Sequence, residues 1–204
     1  MTKITLHKGD LAAGVSFSGS IAIDTETLGL KPHRDRLCLV QLSSGDGTAH
    51  LVQLDGEDYA APRLKALLTD PKLTKIFHFA RFDVAVLSRY LGVVTNPIYC
   101  TKIASKLVRT YTDRHGLKDL CGELIGQEMN KQQQSSDWGA TKLSQQQQAY
   151  AASDVLHLHE LKAKLDMMLE REGRTHLAQA CFQFLPTRAA LDLAGWEEQD
   201  IFAH

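Results

Sequence analysis

The chain has 204 residues, 44% of them hydrophobic, enough for one sizeable core and, by default, one domain. Its 23 Lys and Arg against 24 Asp and Glu give a formal net charge of −1. That balance lacks the broad cationic excess with which proteins grip long nucleic acid, so a nucleic-acid function would need a short substrate, a local basic patch or bound metal.

The first ten residues are polar and carry no predicted element. Residues 20–26 are β-branched enough for a strand, and residues 36–42 and 49–54 give two more. The run Ser43-Ser44-Gly45-Asp46-Gly47 is the hairpin turn between the latter two, so an antiparallel meander is expected. Pro62 suits the first turn of a helix ending near Leu68. Residues 74–79 form a short buried strand, followed by a helix over 81–91 closed by Gly92. Residues 93–99 are a final edge strand, because Pro97 cannot donate to a ladder. Helical spacing then covers 101–107 and 117–125, the second ending before Gly126. A polar, irregular stretch over 127–139 includes Gln134, Ser135, Ser136 and Trp138. Ser144 is an N-cap with Gln147 completing a capping box, and the spacing predicts one helix from there to Glu172. Residues 175–204 hold a last helix and a tail. Strands come first, then strands alternate with helices, then helices follow. The expected fold is α/β, a mixed sheet of about five strands flanked by helices, with a helical C-terminal half.

Cys38, Cys100, Cys121 and Cys181 have no C-x-x-C pairing and no ligand-spaced histidines, so they are expected to be small buried hydrophobes. The N-terminus lacks a signal peptide's apolar segment and no run is long enough to span a bilayer. The expectation is a cytoplasmic protein without membrane contact.

Chemistry concentrates in four carboxylates and a tyrosine. Asp24 and Glu26 lie two apart at the C-terminal end of a strand, so both leave one face. Asp83 stands in the first turn of a helix that follows another strand. Tyr150 and Asp154 are four apart on a helix and therefore neighbours. Acidic groups converging on one centre repel strongly unless cations neutralise them. Oxygen-only ligands suit Mg²⁺ or Mn²⁺ rather than zinc, and two such ions per site suit hydrolysis of a phosphodiester. Tyr150 is placed to accept or orient the proton of an attacking water.

The flanking residues carry a resemblance. Ile23-Asp24-Thr25-Glu26-Thr27, then Lys75-Ile76-Phe77-His78-Phe79-Ala80-Arg81-Phe82-Asp83, then Tyr150-Ala151-Ala152-Ser153-Asp154 resemble the three motifs of DEDD exonucleases, in the branch with tyrosine in the third. Arg36-Leu37-Cys38-Leu39-Val40-Gln41-Leu42, His115-Gly116-Leu117-Lys118-Asp119-Leu120 and Ser136-Asp137-Trp138 resemble the ribonuclease D family. The resemblance spans roughly residues 20–165. A chain of this length leaves no room for that family's helical HRDC domains, and its compactness is similar to the short nano-RNase C group of alphaproteobacteria. The expectation is thus one exonuclease domain with a helical extension over 174–204.

The resemblance implies an RNase H-like fold, metal-dependent 3′–5′ hydrolysis of short RNA, and a ring-shaped homo-oligomer, an octamer. It implies that Asp24, Glu26, Asp83 and Asp154 bind metal, that Glu26 meets the terminal 3′-hydroxyl, and that Tyr150 prepares the water. Thr25 is counted among the substrate contacts. Leu30, or Leu28 in its place, would wedge between the last two bases. The alternative for Leu30 is an ordinary core position. His78 and Phe79 would touch the terminal sugar or base, unless Phe79 is core. Arg114, His115 and Lys118 crowd a helix N-terminus at Gly116, which is either a phosphate site or a solvated loop. Lys31, His33, Arg34 and Arg36 form the other basic cluster. Ser136 and Trp138 either line the site or, for the indole, serve structure. Longer RNA or DNA remains an alternative substrate. An inactive scaffold is the remote reading, because such relatives usually lose a carboxylate and all four remain.

Overall fold

The computed structural model describes residues 2–129, 133 and 135–203; Gln132 and Gln134 of the first glutamine run lie outside them. Among the described residues six strands form one sheet: β1 (Lys3–Lys8), β2 (Ser20–Thr27), β3 (Leu37–Ser43), β4 (Thr48–Gln53), β5 (Thr74–Phe77) and β6 (Ile98–Cys100), in the order β1-β4-β3-β2-β5-β6. The expected meander is present, with β2, β3 and β4 antiparallel, while β1 runs parallel to β4 and β5 and β6 extend β2 in parallel. The sheet therefore has one strand more than expected. Ile4 and Leu6 of β1 do alternate with polar residues, a signal hidden by the polar composition around them. An edge strand buries little, and its ladder with β4 holds it in place.

The helices are α1 (Pro62–Thr69), α2 (Ala80–Leu91), α3 (Thr101–Val108), α4 (Leu117–Ile125), α5 (Gln145–Leu156), α6 (Leu158–Arg171) and α7 (Thr175–Leu191), followed by a π-helical turn at Asp192–Trp196. Gly92 and Gly126 close α2 and α4 in the left-handed region, as their positions predict. The capping box at Ser144 is complete: its Oγ accepts from Gln147 N at 3.1 Å, and Gln147 Oε1 accepts from Ser144 N at 2.9 Å.

Two boundaries differ from expectation. The single helix predicted over 144–172 is divided at His157, whose φ of −102° and ψ of −6° end α5 and open α6. Buried Ala151, Ala152, Val155, Leu158, Leu161 and Leu165 keep helical spacing through the break, so periodicity alone cannot reveal it. The break lets α5 lie across β2, β3 and β4 while α6 packs on α3 and α4. The last strand is also shorter than predicted. Residues before the cis Asn96–Pro97 bond stay irregular, and pairing with β5 begins at Ile98.

β3 is buried along its whole length. Leu37, Val40 and Leu42 belong to the large core cluster. Cys38 and Leu39 join Leu51, Trp138, Leu143 and Ala151 in a smaller one beneath α5. Three cysteines are buried as expected, but Cys181 is exposed, because it lies on the outer face of α7 whose inner face supplies Ala178, Phe182 and Leu185. Among the described residues no helix is long and apolar enough to cross a membrane.

Candidate active site

β2 runs from a fully buried Ile21-Ala22-Ile23 segment to an open end. Burial of the apolar half fixes the strand, and period two then puts Asp24 and Glu26 on one face. A shift in register with β3 between Glu26 and Thr27 ends the regular ladder just beyond them. α5, held against β2 through Ala151, Ala152 and Val155, brings Asp154 alongside. One oxygen each from Asp24, Glu26 and Asp154 lie within 4.8 Å of one another.

Asp83 enters differently. It is 3% exposed in the first turn of α2, and Thr25 Oγ1 donates to its Oδ1 at 2.7 Å. It stands behind the trio, outside the residues lining the cleft. Its charge is nonetheless felt there, helping to raise both Asp24 and Glu26.

Burial is the main cause of the shifts at Asp24, Glu26 and Asp83. Asp24 is held well above the usual range by burial, then by Asp83, Asp154 and Glu26. Glu26 is pushed up to about 9 by burial, then by Asp154 and Asp83. Asp83 rises to about 7 through burial, opposed by the Thr25 hydrogen bond. Tyr150 is also held above its ordinary value, by burial and then by Asp154, Glu26 and Asp24. Left to themselves these acids retain protons. An oxygen-only donor set this crowded fits a hard divalent cation, whose charge would reverse the shifts.

The cleft at the trio has a volume of about 310 Å³. Its walls include Thr25, His78, Phe79, Lys118 and Tyr150, all anticipated, and Lys102, Gly116, Leu117 and Met129, which were not. β5 stops at Phe77, two residues earlier than predicted, so His78 and Phe79 turn outward. Phe79 adopts φ 70° and is 46% exposed, which excludes a core role. Thr101 Oγ1 donates to Phe77 O at 3.1 Å, and therefore accepts from His78 Nδ1 at 2.9 Å, fixing that ring. Gly116, Leu117 and Lys118 present the N-terminus of α4 to the cleft, a setting favourable to anions.

Other predicted contacts fall elsewhere. Leu30 is 86% exposed and Leu28 52%, so Leu30 is no core residue, and neither lines the cleft. Arg114 is paired with Asp119 at 2.7 Å, and His115 Nδ1 bonds Ser105 Oγ at 2.8 Å, which turns both away from the cleft walls. Ser136 Oγ donates to Gln133 Oε1 at 2.7 Å. Trp138 is buried and supports Tyr150 from behind, ring centroids 6.0 Å apart, so its role is structural. The cluster at Lys31 is spent on local partners: Lys31 and His33 meet Glu197, Arg34 meets Asp35, and Arg36 donates to Leu54 O and Gly139 O.

Gln41 was not singled out as a site residue. It is fully buried on β3, and its Nε2 donates to Asp24 Oδ2 at 3.2 Å and reaches Glu26 Oε1 at 3.5 Å. Its Oε1 has no hydrogen-bond partner, so the amide is oriented by the carboxylates alone. A polar residue inside a strand otherwise built, up to its terminal Ser43, of Leu, Val and Cys was the available signal.

A mixed sheet that delivers two carboxylates from β2 to a tyrosine and a third carboxylate on α5 is the frame of a 3′–5′ exonuclease domain. Residues 9–170 match the family model described as a 3′–5′ exonuclease, and the chain belongs to that family. It is similar along its whole length to NrnC from Brucella melitensis. The structure of that protein bound to pGG is 58% identical and superposes with a TM-score of 0.97 over 100% of both chains. The structure with bound Mg²⁺ gives 58% identity and 0.95 over 99% of both. Ribonuclease D from Acidiphilium cryptum is 36% identical over 155 residues, covering 76% of this chain. The chain spans only 39% of that relative's own length.

Proposed function

We propose that this chain is a divalent-metal-dependent exoribonuclease that removes nucleotides from the 3′ end of short RNA, down to dinucleotides, and releases nucleoside 5′-monophosphates. The observation that carries this reading is the trio Asp24, Glu26 and Asp154, with oxygens within 4.8 Å, set beside Tyr150 in a small cleft. Three points favour a short substrate. The cleft holds about 310 Å³, the net charge is −1, and NrnC, similar end to end, binds the dinucleotide pGG.

Asp24, Glu26 and Asp154 would hold the metal, two Mg²⁺ or Mn²⁺ ions in this proposal, with Asp83 completing the acidic set. Bound, such ions supply charge stabilisation at the phosphate and an acidified water. The remaining work falls to the chain. Tyr150, backed by Trp138 and lying one turn from Asp154, orients the attacking water and would take its proton once bound cation charge makes the phenolate accessible. Glu26 meets the 3′-hydroxyl, which restricts cleavage to an end. Phe79 offers an exposed ring on which any base can stack, and Lys118 with the α4 N-terminus receives phosphate. Lys102, its amine 4.2 Å from the Phe79 ring centroid, adds positive charge beside that stacking face.

In the same reading the chain works as one exonuclease domain within a ring-shaped homo-oligomer. Exposed Leu177, Trp196, Ile201 and Phe202 near the C-terminus support an intersubunit surface, which light scattering tests. The activity is tested with end-labelled RNA of two, seven and thirty nucleotides and with duplex DNA, using wild type and Asp154→Ala. The expected result is rapid loss of the dinucleotide with Mg²⁺ or Mn²⁺ and none with the variant. A dinucleotide left intact while long strands disappear would move the substrate to longer RNA or DNA.

A further inference from the structure

Beyond Phe79 the catalytic cleft continues into a second depression of about 300 Å³, which shares Phe79 and Lys102 with it. Its floor is apolar, from Ile103 on α3 and Cys181, Phe184 and Leu185 on α7. Its charged lining is entirely basic: Arg81, Lys102, Lys106 and Arg188, with no acid among them. Two of these cations are already committed, because Arg81 and Arg188 both bind Asp192 at 2.6 Å. The other two form no ion pair among the described residues. Lys102 and Lys106 lie one turn apart on α3, on the same side of the helix, with Lys106 exposed.

The geometry points to this groove as a binding site for the stretch of single-stranded RNA upstream of the nucleotides held at the carboxylates, the Lys106 amine receiving a backbone phosphate and a base lying against Phe184, whose ring also packs on Phe202 with centroids 5.8 Å apart. An apolar, partly aromatic floor beside amines that have no ion-pair partner is the combination that holds a single strand without regard to sequence. The cationic excess missing from the whole chain is present here locally, where it steers an anion. Continuity through Phe79 and Lys102 favours a strand already seated at the trio over a separate ligand.

This inference rests on the proposed exoribonuclease reading, and the test separates the two. Lys106→Glu and Phe184→Ala are compared with wild type on a dinucleotide and a seven-nucleotide RNA, with thermal melts to confirm folding. On the dinucleotide kcat/KM should be unchanged. On the longer strand it should fall about 10-fold for Lys106→Glu, with a salt dependence shallower by about one unit. Phe184→Ala should lose about 5–100-fold on the longer strand only. Equal losses at both lengths, or no loss at either, would overturn the proposal. So would relief of inhibition by added nucleoside monophosphate with an unchanged length profile, which would assign the groove to released product. If wild type spares the dinucleotide, the short-substrate reading fails, while the variants' effect on the longer strand still decides the groove.

Discussion

Replacing Gln41 with leucine removes the amide that faces the acidic centre and keeps most of the volume. Gln41 Nε2 is 3.2 Å from Asp24 Oδ2, an acceptable hydrogen bond, and 3.5 Å from Glu26 Oε1, at the limit of one. Counting only the first, a hydrogen bond to a charged partner contributes about 1.5–3 kcal/mol. At about 1.4 kcal/mol per decade, that corresponds to roughly 10–100-fold. The same range is typical when a residue supporting a metal ligand is lost. The loss should appear in the divalent-ion dependence, because a carboxylate freed from its donor is less well placed. The assay is the initial rate of dinucleotide hydrolysis over a series of Mg²⁺ concentrations, for wild type and Gln41→Leu. A half-activating concentration raised about 10–100-fold, with a rate largely recovered at saturation, is the expected outcome. The folded protein should not suffer much, since the substitution also removes the unpartnered Oε1. An unchanged Mg²⁺ curve would refute the reasoning, and so would a lost rate that no Mg²⁺ concentration restores.

Asp24→Asn should abolish measurable hydrolysis yet raise the melting temperature of chelator-treated protein, because a neutral amide escapes the cost of burying a carboxyl that must either take up a proton or stand charged beside its acidic neighbours; a lower melting point would count against that account. Tyr150→Phe should reduce kcat by about 10²–10⁴-fold with little change in stability, since the ring still rests on Trp138; a variant with the wild-type rate would remove Tyr150 from the proton transfer. Glu26 is raised from 4.5 to about 9 in the fold, so between those pH values the folded chain binds more protons than the unfolded one. The contribution of this proton to the stability of the chelated protein is then fullest below pH 4.5 and declines as pH rises toward 9, by at most about 1.4 kcal/mol per pH unit. Melts at pH 5, 7 and 9 should show that decline, Mg²⁺ or Glu26→Gln should flatten it, and a melting point that climbs with pH would contradict it.

Sequence patterns captured the parts of the site governed by local rules. Period two placed Asp24 and Glu26 on one face, helical spacing paired Tyr150 with Asp154, and the turn residues located the hairpin. What escaped was set by packing between distant segments. Lys75 has the composition of a surface residue but is fully buried, its amine satisfied by Asp70 O at 2.5 Å and Asn96 O at 2.8 Å. Arg114 and His115 adjoin Gly116 in the sequence, which left a phosphate site and a solvated loop equally open, and only the fold shows Arg114 bonded to Asp119 and His115 to Ser105. Trp138 faces Cys38 and Leu39 because α5 lies over β3, a fact of tertiary layout. The break at His157 was invisible for the opposite reason: apolar spacing continues through it while the packing partner changes.

The acidic trio draws Asp24 and Glu26 from β2 and Asp154 from α5, so its members lie far apart along the chain. Asp154 can meet Asp24 and Glu26 only once a long loop has closed. During synthesis from the N-terminus, a ribosome-bound fragment that has not yet exposed α5 has no complete place to hold a metal ion. The acidic centre is therefore incomplete until the helix carrying Asp154 has docked. Onset of hydrolysis doubles as a signal that the C-terminal half has come home.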